Sequence, residues 1–275
     1  MPLRIIAVLR KSLLDYRMNL VLLIPAVIGF VTDNVDGAFY PYAMSNVFGS
    51  YPTYASSSTD PFVMALSLSL LTLSPILLFL VFLGQGVLTG KVISQGNVKL
   101  RDWVTEGRKF FFTVLGIGIV NAIVTSRITN LSIRLVDLGD WYTPQTQLVN
   151  GLLGLVTDVL KAFFLFWLAT LILGHRSFIH SLIAAVKGLR SQLMVFVELI
   201  LFFWGTDMAI SSVLLLIHFA ANKPLIGYPI IQRVVGDLMD AILSPLWFLM
   251  IFEIYREQKM TSGADSRDNV TELPQ

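Results

Sequence analysis

Six apolar runs punctuate the chain, at about residues 18–32, 62–88, 110–125, 148–173, 193–221 and 234–255. A helix crosses the hydrocarbon core of a bilayer with roughly 20 mostly apolar residues, so each run predicts one transmembrane span. The first and third are short. Either crosses with help from its flanks or re-enters, although losing one alone would put the chain ends on opposite sides. Basic amphipathic turns precede the odd-numbered runs, at Val8–Asn19, Leu100–Lys109 and Ser181–Gln192. This spacing predicts an interfacial helix followed by a transmembrane hairpin, used three times. Basic residues beside any span snorkel to headgroups, but that alone does not place the same apolar spacing before the odd spans only. The expected fold is all-α: six transmembrane helices as three hairpins, with short cytoplasmic interfacial helices, in one domain over residues 1–260. Residues 261–275 are polar and read as a disordered cytoplasmic tail.

Composition points to the same class. Of the 275 residues, 55% are hydrophobic and 14% charged, where soluble domains carry about 25% charge. So few charges cannot cover a soluble surface of this size. Cysteine is absent, which excludes disulfides, thiol catalysis, cysteine zinc sites and iron–sulfur clusters. The basic N-terminus before an apolar run superficially resembles a signal peptide. That run contains Pro25 and lacks a small-residue cleavage site, so it reads as a retained span.

Loop charges then set the orientation. Fifteen Lys and Arg fall at the N-terminus, the second-to-third and fourth-to-fifth connections and the tail, against four on the other side. Both termini are therefore expected in the cytoplasm of a cell-membrane, multi-pass protein. The basic interfacial groups include Arg10, Lys11, Arg17, Arg101, Arg108, Lys109, Lys187 and Arg190. On the outer side, Asp33–Pro61 has no Lys or Arg and is rich in Tyr and Phe. It suggests an interfacial aromatic cap, with a binding lid as the alternative. Residues 127–141 read as a helix on the outer interface, carrying a glycosylation sequon at Asn130.

Leu100–Phe112 and Phe178–Val195 resemble a group of prokaryotic and archaeal six-span proteins, themselves similar to the membrane domain attached to some glycerophosphodiesterases. That resemblance implies no active site. Overall topology and size are also similar to the polytopic component of archaeal DNA-import systems, which implies small membrane subunits and a cytoplasmic ATPase as partners.

Charges within spans are costly and mark functional hypotheses. Asp158, Lys161, Asp207, Asp237 and Asp240 fall between the midplane and the outer third of the last three spans. Glu198 and Glu253 lie near the inner boundary. One reading is a hydrated polar track through spans four to six for a proton, a cation or a threaded substrate. The other pairs Asp158 with Lys161 inside the bundle and leaves the remaining acids near water. An acidic track has the wrong sign for DNA. Pro25, Pro75 and Pro245 break the backbone bonding of spans one, two and six, which permits gating but is common in membrane helices. Gly86 and Gly90 form a small-xxx-small pair suited to close helix contact. Gly84, Gly86 and Gly90 before Lys91 lack the spacing and the hydroxyl of a phosphate loop, and His175 and His180 stand too far apart for a two-histidine metal motif. No metal and no cofactor is expected.

The sequence therefore points to a non-enzymatic component of a translocation machine, with DNA import as one candidate and with partner subunits or an ion gradient supplying energy. Membrane lipids contact it, and oligomers are allowed. The alternatives are a lipid-facing, membrane-organising scaffold and an ion- or proton-coupled small-solute transporter.

Overall fold

The computed structural model describes residues 2–48, 61–136, 144–220 and 228–268. These residues form helices and short turns, with no strand among them. In chain order the helices are α1 (Pro2–Met18), α2 (Leu23–Phe48), α3 (Pro61–Gln95), α4 (Leu100–Val136), α5 (Pro144–Gly174), α6 (Phe178–Ser191), α7 (Leu193–Ala220) and α8 (Tyr228–Asp268), and a single 3-10 turn at Leu20–Leu22 joins α1 to α2. Five stretches are long and apolar enough to cross a membrane: Leu73–Gln95, Leu100–Ile128, Gly151–Gly174, Leu193–Ile210 and Val234–Met260. A sixth is reached if Ile5–Met18 and Leu20–Val35, bent by 90°, count as one.

Local chemistry explains the breaks. Asn19 stops α1 at a non-helical φ −125° and ψ 61°. Its side-chain amide donates to the Asp15 carbonyl at 2.9 Å and to the Gly96 carbonyl at 3.4 Å, so the bend is tied to the end of α3. Gly96 closes α3 at φ +75°, with its N–H on the Val92 carbonyl at 2.7 Å. That left-handed cap suits a residue with no Cβ. Three residues on, the Lys99 N–H donates to the Asp102 carboxylate at 2.8 Å. Asp102 thereby serves as the reaching-back arm of a capping box for α4. Pro61 and Pro144 each open a helix, where the missing N–H costs nothing.

Several boundaries differ from the sequence expectation. The basic turn at 100–109 is not a separate interfacial helix but the opening of α4, because nothing there ends the hydrogen-bond ladder as Asn19 and Gln192 do. A shorter helix thus precedes a longer one at α1–α2 and α6–α7, and the corresponding stretches are fused in α4. The segment from 127, expected as a separate surface helix, is the end of α4 as far as Val136, and 137–141 lie outside the described residues. Of the expected loop 33–61, the part to Phe48 is helical and 49–60 lie outside the described residues. Helix α8 continues to Asp268, through 261–268 of the segment read as a disordered tail, and 269–275 lie outside the described residues.

The core gathers at the end of the bundle that carries most Lys and Arg. Trp167, Phe166, Phe196, Phe203, Trp247 and Phe252 are buried there. Gly86 and Gly90 let α3 press on α5: a Cβ at either would stand 2.6 Å from Leu168 or Ile172 side-chain carbons. The expected small-residue contact is therefore made within the chain. Helix α6 is pinned on α5 by the Trp167 indole N–H donating to Ser181 Oγ at 2.9 Å and the Thr170 hydroxyl donating to the Ser181 carbonyl at 2.8 Å.

Candidate functional site: a buried charge cluster at the basic end

Helices α3 and α8 run side by side and in step. Phe82 meets Phe248 edge to face at 5.9 Å, a Cβ on Gly90 would lie 3.6 Å from Phe252, and Arg256 donates to the Ile93 carbonyl at 3.3 Å. This register places Thr89 and Glu253, the neighbours of Gly90 and Phe252, at one level. Gln85 stands one turn deeper on the same face of α3 as Thr89.

Glu253 is the most buried charge of the described residues, with its side chain 1% exposed. Its Oε1 accepts from both Lys11 of α1 and Arg256 of its own helix. Its other oxygen, Oε2, has no hydrogen-bond partner. On α8, and on α1 and α3, which both pack against it, Ser12 Oγ, both polar atoms of the Gln85 amide, Thr89 Oγ1 and Arg256 Nε are also buried without a hydrogen bond to protein. Gln85 is 2% exposed and Thr89 is fully buried. Buried polar atoms in native proteins are nearly always hydrogen-bonded, and leaving one unpaired costs about 1–3 kcal/mol. These unpaired atoms form a buried polar patch near the level of Glu253 in an otherwise apolar bundle.

The charges singled out from sequence fall in different places. Asp158 is buried on α5, and Lys161 is half-buried one turn away. The Lys161 ammonium sits 4.4 Å from the centre of the Trp247 ring, a cation–π contact. Trp247 in turn stacks on Phe203 of α7, with ring centres 3.2 Å apart. Asp237 is partly buried and Asp240 exposed on α8. Asp207 belongs to α7, and its side chain lies outside the described residues. Glu198 is half-buried on α7. Pro25 and Pro245 are buried and Pro75 exposed; the last two lie inside α3 and α8 without ending them.

Of the interfacial basic residues, Arg10, Arg17, Arg101, Arg108, Lys109, Lys187 and Arg190 are exposed. Lys11, 43% exposed, turns inward to Glu253. The structure thus joins one expected boundary acid to one expected interfacial cation. The sequence reading passed over Gln85, Thr89 and Ser12. The available signal was a polar pair four residues apart, Gln85 and Thr89, inside an otherwise apolar run. Among the described residues no group of three His, Asp or Glu is placed to hold a metal ion.

No family model matches the chain, and neither the curated proteins nor the solved structures contain a match to it.

Proposed function

We propose that this is a non-enzymatic, multi-pass component of a membrane transport system, with six spans in three hairpins and both termini in the cytoplasm. In this reading Glu253, Gln85, Thr89 and Ser12 enclose a polar chamber that takes part in moving a proton or small cation. The observation that carries this is the set of buried unpaired polar atoms on Gln85, Thr89, Ser12 and Glu253, together with a buried carboxylate that two cations hold in place. Lipid supplies no hydrogen bonds, so such groups are retained at a cost in stability that transport of a polar solute accounts for. The Lys161–Trp247–Phe203 stack, with Pro245 two residues before Trp247, lies between this chamber and the acids of α8. It suits a gate that separates two polar compartments.

A small cation is favoured over DNA as cargo. The acids Asp158, Asp237 and Asp240 repel a polyanion, and buried aromatic side chains fill the bundle between them and the chamber. Energy would come from an ion gradient or from partner subunits with an ATPase. A second reading is a membrane-organising scaffold. It draws on α1 and α6, which expose Ile6, Leu13 and Met18, and Ile179, Ile183 and Val186, beside exposed Arg and Lys.

Reconstituted vesicles carrying a trapped pH indicator separate the two. The wild-type chain should dissipate an imposed pH or cation gradient, Glu253→Gln should slow it at least roughly tenfold, which is about 1.4 kcal/mol on a barrier, and Arg190→Gln, exposed on α6, should leave it nearly unchanged. Equal flux in Glu253→Gln and wild type, with both proteins folded, would remove the chamber from transport and leave the scaffold reading.

A further inference from the structure

A second polar feature lies at the same end of the bundle but faces outward, between α3, α4 and α5. It is an open cleft of about 320 Å³. Phe110 and Ile172 give it apolar walls, and Lys91, Lys109, Glu106 and His175 bring polar ends into it. The two lysines come from different helices and meet at one acid: Lys109 Nζ is 2.7 Å from Glu106, and Lys91 Nζ is 3.9 Å from it. Lys91 also donates to Asp102 at 3.2 Å, the residue that caps α4, so its ammonium is held in position by the joint between α3 and α4. Each ammonium has three donors, and each donates a side-chain hydrogen bond to an acid here, which leaves donors in excess of acceptors.

His175 adds an independent mark. It adopts φ +49°, where a residue with a Cβ is strained by about 1–2 kcal/mol. It is the only residue other than glycine at positive φ among those described. Backbone strain of this kind clusters at ligand sites. The turn it makes brings its ring onto Phe110, with centres 6.0 Å apart, at the rim of the cleft. His175 directly follows the last residue of α5, where a left-handed residue closes the helix.

We propose that this cleft binds a phosphate group whose charge is not already balanced by an amine, borne by an anionic lipid headgroup or by free phosphate. Two ammoniums and one carboxylate line the cleft, while Asp102, which pairs with Lys91, is not part of the lining, so positive ends with spare N–H donors face into it. Lysine binds phosphate as a point charge, and basic pockets between membrane helices near the interface suit anionic headgroups. The apolar walls and the exposed Phe112, Ile119 and Ile123 further along α4 offer a path for acyl chains. The site is separate from the Glu253 chamber and stands or falls without it.

The test uses the full chain in nanodiscs of mixed phosphatidylglycerol and phosphatidylcholine, with retained lipid counted by native mass spectrometry. The wild-type chain should retain phosphatidylglycerol in preference. Lys91→Gln/Lys109→Gln should weaken that preference roughly 10- to 30-fold. Lys109→Gln/His175→Asn should weaken it in the same direction while leaving the Lys91–Asp102 joint intact, which guards against a folding defect. Arg10→Gln/Lys187→Gln, outside the cleft, should leave it unchanged. Inorganic phosphate that displaces the lipid, or that is retained where no lipid preference exists, identifies free phosphate as the ligand, and failure to displace identifies the headgroup. Equal losses in the cleft and control variants would overturn the proposal, as would a wild-type chain that retains neither lipid nor inorganic phosphate.

Discussion

Gln85 can form four hydrogen bonds through its side chain, and both of its polar atoms are buried without a partner in protein. A leucine of similar size would remove that cost, since replacing an unpaired buried polar group by an apolar one is often stabilising. Gln85→Leu should therefore raise the thermal unfolding temperature in detergent, or leave it unchanged, while lowering proton or cation flux in vesicles. A fall in both would mean that Gln85 holds the bundle together and has no transport role. Sequence reading missed this residue for a physical reason. A span is recognised by its mean hydropathy, and one amide among many Leu, Phe and Val barely moves that mean. Lys11 and Glu253 were visible as charges near the boundary. Their pairing was not, because 242 residues separate them along the chain.

At the scale of elements, α6 is short and amphipathic, so its position depends on what pins it. The Trp167 indole and the Thr170 hydroxyl both end on Ser181, and a Cβ at Gly188 would stand 2.6 Å from the Phe166 ring. Ser181→Ala leaves the Trp167 N–H buried and unpaired, and should cost about 1–3 kcal/mol in thermal unfolding. Trp167→Phe/Ser181→Ala should cost less than the two single changes added together, because residues that share a bond are not additive. Full additivity would show that the bond does not dock α6. Helix type was readable from the apolar runs, but helix ends were not. Hydropathy marks the part of a helix that meets hydrocarbon, whereas α3 continues through Lys91 to Gln95 and α4 begins at Leu100, as their backbone bonding allows. The bend at Asn19 depends on an amide reaching the Gly96 carbonyl across the bundle, a contact invisible in local sequence.

At the scale of the whole molecule, charge distribution and packing converge on one end. The end with most Lys and Arg is also where the aromatic core, the Glu253 cluster and the cleft lined by Lys91 and Lys109 gather. The remaining acids that drew attention in the sequence, Asp158, Asp237 and Asp240, are spread between buried and exposed positions, because a residue's depth along a span does not fix which way its helix is turned. The central claim is that the chamber around Glu253 communicates with water as part of a transport path. The chain has no cysteine, so single cysteines report cleanly. Thr89→Cys, at a fully buried position, should react with a membrane-impermeant, cationic thiosulfonate added to the side that also labels Arg10→Cys, and Glu253→Gln should change its rate. Thr89→Cys that stays unreactive from both sides, in protein where Arg10→Cys labels fully, would contradict a water-connected chamber.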